Sequence, residues 1–192
     1  MKNQTPLCEL AYKYGTDKCP QLGHNYTPVY YQLLKDKKEK FKKILELGIG
    51  SKYTMQYVPK HYQTGASLLM WRDFFPNAQI YGVDRHPSTI FQTDRIKTIL
   101  SSTSRIPNLQ NLIKEIGSDI DLVIDDGPHN ERFQLQAVCT LMPLLKKDVI
   151  YVIEDSNRPD CIKNELTEYN CEVFKFPDNR KRDILIIVRK KY

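Results

Sequence analysis

The stretch Asp125-Asp126-Gly127-Pro128-His129 closes an apolar run, Ile120-Asp121-Leu122-Val123-Ile124, that reads as a β-strand. Adjacent carboxylates and an imidazole at a strand end can supply a divalent-cation site and a general base. A second acidic pair, Glu154-Asp155, closes the next apolar run, Val149-Ile150-Tyr151-Val152-Ile153. In an open α/β sheet, parallel neighbouring strands deliver their carboxyl ends to one rim, where ligands bind. The two pairs are therefore expected to converge although they lie far apart along the chain. The competing reading of these four acids is strand-end solvation and helix capping. Acids crowded on one rim repel each other, however, and a bound cation would remove that cost. All-oxygen ligation favours magnesium or manganese over zinc.

Positioning these groups requires a sheet, and from residue 44 onward short apolar runs alternate with amphipathic stretches, the signature of βα units. Strands are expected at 44–47, 79–83, 97–100, 122–125, 149–153, 172–176 and 184–188, with helices at 67–75, 108–116, 130–145 and 162–169. The short return between the last two strands predicts an antiparallel pair at one edge. Two further helices, 7–14 and 28–37, precede the first strand and are expected to cap the rim. The segment 51–64, with Tyr53, Tyr57, His61 and Tyr62, is long for a βα loop and reads as a lid or a disordered connection.

The chain has 192 residues, 41% hydrophobic and 27% charged, the composition of an ordinary globular protein rather than a disordered one. One domain is expected, with a helical cap over 1–40 and a core over 41–192. No apolar run approaches the roughly 18 residues of a membrane span, and the start Met1-Lys2-Asn3-Gln4-Thr5 lacks a signal-peptide core. An intracellular, cytoplasmic location is the expectation. Five cysteines form no C-x-x-C pair, which argues for free thiols over a disulfide framework or thiolate zinc. The net charge of +6 comes largely from Lys35 to Lys43 and from Arg180 to Lys191. Such runs read as a solvated surface, or as attraction to phosphates of a nucleic acid or a nucleotide-linked substrate.

Glu46-Leu47-Gly48-Ile49-Gly50 follows the first strand, and its glycines would let the backbone approach a ligand closely. Asp84 ends the second strand, where an acid can accept hydrogen bonds from both ribose hydroxyls. The third glycine of a dinucleotide fingerprint is missing, because Tyr53 stands in its place. A ligand without a pyrophosphate fits better, and S-adenosylmethionine is the common one.

The motif Glu-x-Gly-x-Gly, the acid ending strand two and Leu122-Val123-Ile124-Asp125-Asp126-Gly127-Pro128-His129 make the chain resemble a class I S-adenosylmethionine-dependent methyltransferase. Tyr14-Gly15-Thr16-Asp17-Lys18 with His24, Tyr26 and Tyr30, then Gly65-Ala66-Ser67-Leu68 and Trp71-Arg72-Asp73-Phe74-Phe75-Pro76-Asn77-Ala78, resemble the metal-dependent O-methyltransferases of macrolide deoxysugars, of mycinamicin and macrocin type. The resemblance implies a Rossmann-like, seven-stranded, mostly parallel sheet with helices on both faces and an antiparallel last strand. It also implies that Gly48 and Gly50 pass under the methionine part of the cofactor, that Glu46 and the Thr16-Asp17 loop hold its charged ends, and that Asp84 binds its ribose. Ser102 and Thr103 fall where the family contacts adenine, Asp126 and Asp155 match its magnesium ligands, and His129 matches its general base. Asp125 is expected to orient the loop or the cofactor, and Glu154 to stand behind the metal without binding it. The macrolide enzymes carry an extra N-terminal domain for which this chain has no length. A smaller acceptor is therefore expected, a deoxysugar on a nucleotide or a glycan, whose diphosphate would find Lys and Arg at the rim. Homo-oligomers occur among the relatives.

His129 has an unperturbed pKa of about 6.5, suited to taking a proton from a sugar hydroxyl. His24 belongs to the N-terminal motif and is a candidate for facing substrate, whereas His61 and His86 read as surface residues. Tyr26, Tyr30 and Trp71 read first as core aromatics and second as sugar or adenine platforms. Two rivals stand beside this reading. An RNA ribose 2′-O-methyltransferase would use a lysine near the fifth strand end, and none is evident there, nor is an aromatic-interleaved basic stripe. A catalytically silent adenosine-binding scaffold would bind the cofactor indifferently to metal.

Overall fold

The computed structural model describes residues 4–53, 58–176 and 183–191. Tyr57 of the long loop, and Arg180, Lys181 and Arg182 of the second basic run, lie outside them. The elements run α1 (Pro6–Tyr14), α2 (Tyr26–Leu34), β1 (Lys43–Leu47), α3 (Ala66–Phe74), β2 (Gln79–Asp84), β3 (Gln92–Thr93), β4 (Ile96–Leu100), α4 (Ile106–Ile116), β5 (Leu122–Asp125), α5 (Glu131–Leu141), β6 (Ile150–Glu154), α6 (Pro159–Glu165), β7 (Tyr169–Lys175) and β8 (Ile184–Lys190). The strands form one sheet in the order β3-β4-β2-β1-β5-β6-β8-β7. Pairing is parallel from β4 through β6, and β8 runs antiparallel to both β6 and β7.

Each expected strand is present, with ends moved by up to three residues, and the described residues add an eighth, the two-residue β3. One boundary is corrected substantially. The helix expected over 162–169 ends at Glu165, and Tyr169 instead opens β7, whose seven residues pair with all of β8. A ladder of that length outweighs the weak helical pattern of the segment.

Alternation along the strands sends side chains to two cores. Ile44, Ile124 and Val152 point to the face covered by α1, α2 and α3, with Trp71, Tyr26 and Tyr30 fully buried there. Leu45, Val123 and Tyr151 point to the face covered by α4, α5 and α6. The N-terminal helices are thus a structural layer on one face of the sheet. Local signals set their ends. Thr5 caps α1 by accepting the Cys8 N–H at 3.3 Å, Pro6 follows it, and Gly15 at φ 80° closes the helix in the left-handed region. All five cysteines are free thiols. Among the described residues no helix is long and apolar enough to cross a membrane.

Candidate active site

Strand register explains why the acids meet. Asp125 pairs with Ile153, so Asp126 stands level with Glu154, one strand away. A period of two then sends Glu46, Asp126 and Glu154, each two residues beyond Ile44, Ile124 and Val152, toward the α1–α3 face. Asp125 goes to the opposite face, where its carboxylate accepts the Tyr151 hydroxyl at 2.8 Å. Asp155 would follow Asp125, but its backbone turns at φ 51°. That left-handed conformation, which Asp tolerates better than most residues, brings its carboxylate to the Tyr26 hydroxyl at 2.6 Å, on the side of Glu154.

His129 immediately precedes α5, whose cap is the Asn130 side chain accepting the Arg132 N–H at 3.1 Å. Its Nε2 lies 3.1 Å from Asp126 Oδ1 and 3.7 Å from Asp155 Oδ2. One ligand atom from each of Asp126, His129 and Asp155 falls within 4.8 Å of the others, a spacing that one cation can span. Two carboxylate oxygens beside open cleft space are the donor set a magnesium ion takes.

Behind these groups lies Lys18, with only 3% of its side chain exposed. Its ammonium donates to Asp126 Oδ2 at 2.7 Å, is bonded to Glu154 and lies 3.8 Å from Glu46 Oε1. Tyr30 donates to the other Glu154 oxygen at 2.6 Å, and Trp71 donates its indole N–H to Glu46 at 2.7 Å. Tyr26, Tyr30 and Trp71 thus each carry a polar group that holds an acid at a strand end, and their burial leaves none of them as a sugar platform.

Electrostatics follow from burial and pairing. Burial opposes ionisation of Asp126, but Lys18 and His129 outweigh it and hold the carboxyl well below its usual range. Burial likewise lowers His129, while the bond to Asp126 and the charges of Asp126 and Asp155 reverse this and raise it to about 9. His24 stands among Asp17, Asp155 and Asp183 and is raised to about 10 against the effect of burial. Burial pushes Glu46 and Asp125 each up to about 7.

A cleft of about 1040 Å³ runs along the carboxyl ends of the strands. Thr16 and Asp17, Gly48 and Gly50, Asp84, Ser102 and Thr103 line it together with Asp126, His129 and Asp155. Glu46 and Asp125, expected to touch the cofactor, are not on its wall. Both are buried, and Trp71 and Tyr151 respectively donate to their carboxylates. Asp84 lines the cleft and also accepts backbone N–H groups from Ile49 at 2.9 Å, Gly50 at 3.1 Å and His86 at 2.8 Å, which fastens the glycine loop. Gly48 has a second reason to be glycine. At φ 89° a Cβ there would stand 2.1 Å from the Asp126 carbonyl oxygen, so the close approach it permits is to the neighbouring loop.

Sequence reasoning missed Lys18 and the hydroxyl of Tyr26. The expectation that no lysine stands near the end of β6 is corrected, because Lys18 reaches it from the N-terminal loop. The available signal was the Gly-Thr-Asp-Lys loop, though nothing local says where its lysine points. From the long loop, Tyr62 lines the cleft and bonds the Gly50 carbonyl at 3.1 Å, and His61 bonds the Tyr12 carbonyl at 2.7 Å.

No protein-family model matches the chain. Curated relatives do. The chain is 36% identical over 149 residues to 8-demethyl-8-(2-methoxy-alpha-L-rhamnosyl)-tetracenomycin-C 3'-O-methyltransferase of Streptomyces olivaceus, a match covering 78% of this chain and 36% of that protein. It is 34% identical over 150 residues to mycinamicin VI 2''-O-methyltransferase of Micromonospora griseorubida, covering 78% and 35%. Among solved structures, the MycE methyltransferase of the mycinamycin biosynthetic pathway, in complex with Mg, SAH and mycinamycin VI, superimposes with a TM-score of 0.77 at 26% identity. That superposition covers 98% of this chain and 55% of MycE. The chain has the class I methyltransferase fold. Its homologues are sugar O-methyltransferases, and it spans little more than a third of the length of the curated relatives it matches.

Proposed function

We propose that the protein transfers a methyl group from S-adenosylmethionine to a hydroxyl of a sugar, with a divalent cation held by Asp126 and Asp155 and with His129 as general base. The observation that carries this reading is the convergence of Asp126, Asp155 and His129 on the wall of the cleft that also contains the glycine loop and Asp84. The residues suit both groups. Asp84, Ser102 and Thr103 would hold the nucleoside end of the cofactor, and Gly48, Gly50, Thr16 and Asp17 its methionine end. When bound, the cofactor supplies an electrophilic methyl and the magnesium or manganese ion lowers the pKa of the acceptor hydroxyl.

The chain itself orients the acceptor and takes its proton. His129, with its side chain 34% exposed, faces the cleft beside Asp126 and Asp155, within reach of a hydroxyl directed at the same point. With those two carboxylates neutralised by an ion, His129 loses the charges that otherwise hold its proton. Three curated relatives are named for a rhamnosyl or olivosyl group already attached to an aglycone, and the same class of acceptor is proposed here. A nucleotide-linked sugar is less well supported. Of the Lys and Arg side chains, only Lys18 and Arg85 are among the described residues lining the cleft, and Lys18 is committed to carboxylates.

The test is methyl transfer to glycosides of 6-deoxysugars, measured by mass spectrometry with magnesium present, chelated and restored. Turnover should disappear on chelation and return with magnesium or manganese, and turnover unchanged by chelation would overturn the reading. His129→Ala should lower turnover by about 10²- to 10⁴-fold while SAH affinity is kept. Loss of SAH binding in that variant would instead mark His129 as structural.

A further inference from the structure

We propose that Tyr26 and Lys18 are positioning residues for the cation site, each fixing one oxygen of a carboxylate so that its other oxygen faces the ion. The proposal rests on the reading that Asp126 and Asp155 share a divalent cation, and extends it to how the site is aimed.

The two carboxylates are held alike. Asp155 Oδ1 accepts the Tyr26 hydroxyl at 2.6 Å, and Asp155 Oδ2 is the oxygen that lies 3.7 Å from His129 Nε2. Asp126 Oδ2 accepts from Lys18 at 2.7 Å, and Asp126 Oδ1 is the oxygen that lies 3.1 Å from the same nitrogen. In each case a buried group of the N-terminal layer takes the rear oxygen and leaves the front one at the cleft. His24 Nδ1 stands 3.7 Å from the same Asp155 Oδ1, so the N-terminal layer meets that oxygen twice and leaves Oδ2 to the cleft.

The clamps are themselves rigid and linked. Tyr26 is fully buried, its ring stacks on His24 with centroids 4.7 Å apart, and its hydroxyl oxygen accepts the Ile184 N–H at 3.2 Å. The same hydroxyl has the Ile184 carbonyl at 3.5 Å, so the 2.6 Å contact to Asp155 is the shorter of these two donor contacts. The Lys18 carbonyl accepts the N–H groups of Tyr26 at 3.2 Å and Thr27 at 3.0 Å, so the first turn of α2 fixes both residues together. Groups that orient metal ligands typically contribute about 10- to 100-fold to metal affinity.

Charge separates this role from simple neutralisation. Tyr26→Phe removes a neutral hydroxyl and keeps the ring packing. Lys18→Met removes a cation, which by charge alone would tighten the binding of another cation. Manganese binding, followed by electron paramagnetic resonance with SAH present, should weaken about 10- to 100-fold in Tyr26→Phe. Lys18→Met should also weaken it, and thermal melting in metal-free buffer together with SAH affinity should show both variants folded. Manganese bound by folded Tyr26→Phe as tightly as by the wild type would overturn the proposal for Tyr26, and tighter binding in Lys18→Met would overturn it for Lys18. Failure of the wild type to bind manganese would instead remove the cation reading itself. Should Tyr26→Phe not fold, Lys18→Met decides the matter alone.

Discussion

Asp126→Asn should reduce magnesium affinity by at least about 100-fold and turnover by about 10³-fold, while SAH affinity and folding are retained. The amide keeps the shape of the carboxylate but not its charge. An ion at the rim would lose one of its two anionic ligands, a loss larger than the roughly 10- to 100-fold effect of groups that only orient ligands. Metal activation of a hydroxyl amounts to several kcal/mol of charge stabilisation, and each 1.36 kcal/mol corresponds to about tenfold in rate, which sets the expected scale. The fold should survive, because Lys18 stays bonded to Glu154 and close to Glu46 when Asp126 is neutral. Asp125→Asn is the control. That side chain lies on the opposite face with Tyr151 and does not line the cleft, so its replacement should leave magnesium affinity unchanged. Magnesium titrations of turnover, with SAH binding by calorimetry, check both variants. Equal losses at 125 and 126 would mean that the acids serve the loop rather than an ion.

The contrast between these two neighbours was legible in the sequence. Ile44, Ile124 and Val152 precede Glu46, Asp126 and Glu154 by two residues each, and alternation alone sends all three acids to one face. The parallel order of β1, β5 and β6 then makes them adjacent. Asp155 was harder. An ideal strand would turn it away from Glu154, and only its left-handed backbone returns it, a choice that a run of letters does not display. Lys18 and Tyr26 were not legible as parts of the site. Their partners lie more than a hundred positions along the chain, and the contacts exist only because α1 and α2 fold over the sheet face beside the rim. Composition offered a lysine and a tyrosine in a polar loop and a helix start, the ordinary reading of which is surface and core. The two-residue β3 was below the length at which alternation can be recognised, and 162–169 misled because a short amphipathic stretch fits a helix as well as a strand.

Gly48→Ala should destabilise the ligand-free protein by about 3 kcal/mol or more and lower turnover by about 100-fold. Two costs add in the folded state. The residue sits at φ 89°, where a side chain is disfavoured by about 1–2 kcal/mol. Its Cβ would stand 2.1 Å from the Asp126 carbonyl oxygen and 3.1 Å from Gly127 Cα, both backbone atoms with no rotamer in which to retreat. Relieving such an overlap by shifting backbone costs about 1–3 kcal/mol. The two loops cannot separate freely, since the Gly48 N–H is bonded to the Val83 carbonyl at 2.8 Å and the Asp126 N–H to the Leu47 carbonyl at 2.9 Å. Any shift therefore carries Asp126 and His129 with it, and a displacement near 1 Å at a reacting centre costs about 10²-fold. For a chain of this size the stability loss corresponds to roughly 6–12 °C in melting temperature. Denaturant unfolding without cofactor, compared with SAH affinity, separates two roles for this glycine. If Gly48 only made room for the cofactor, the ligand-free variant would be as stable as the wild type and SAH affinity alone would fall. If it makes room for the loop bearing Asp126, stability falls with no cofactor present, and the glycine that resembles a nucleotide motif is then also what keeps the acidic rim in register.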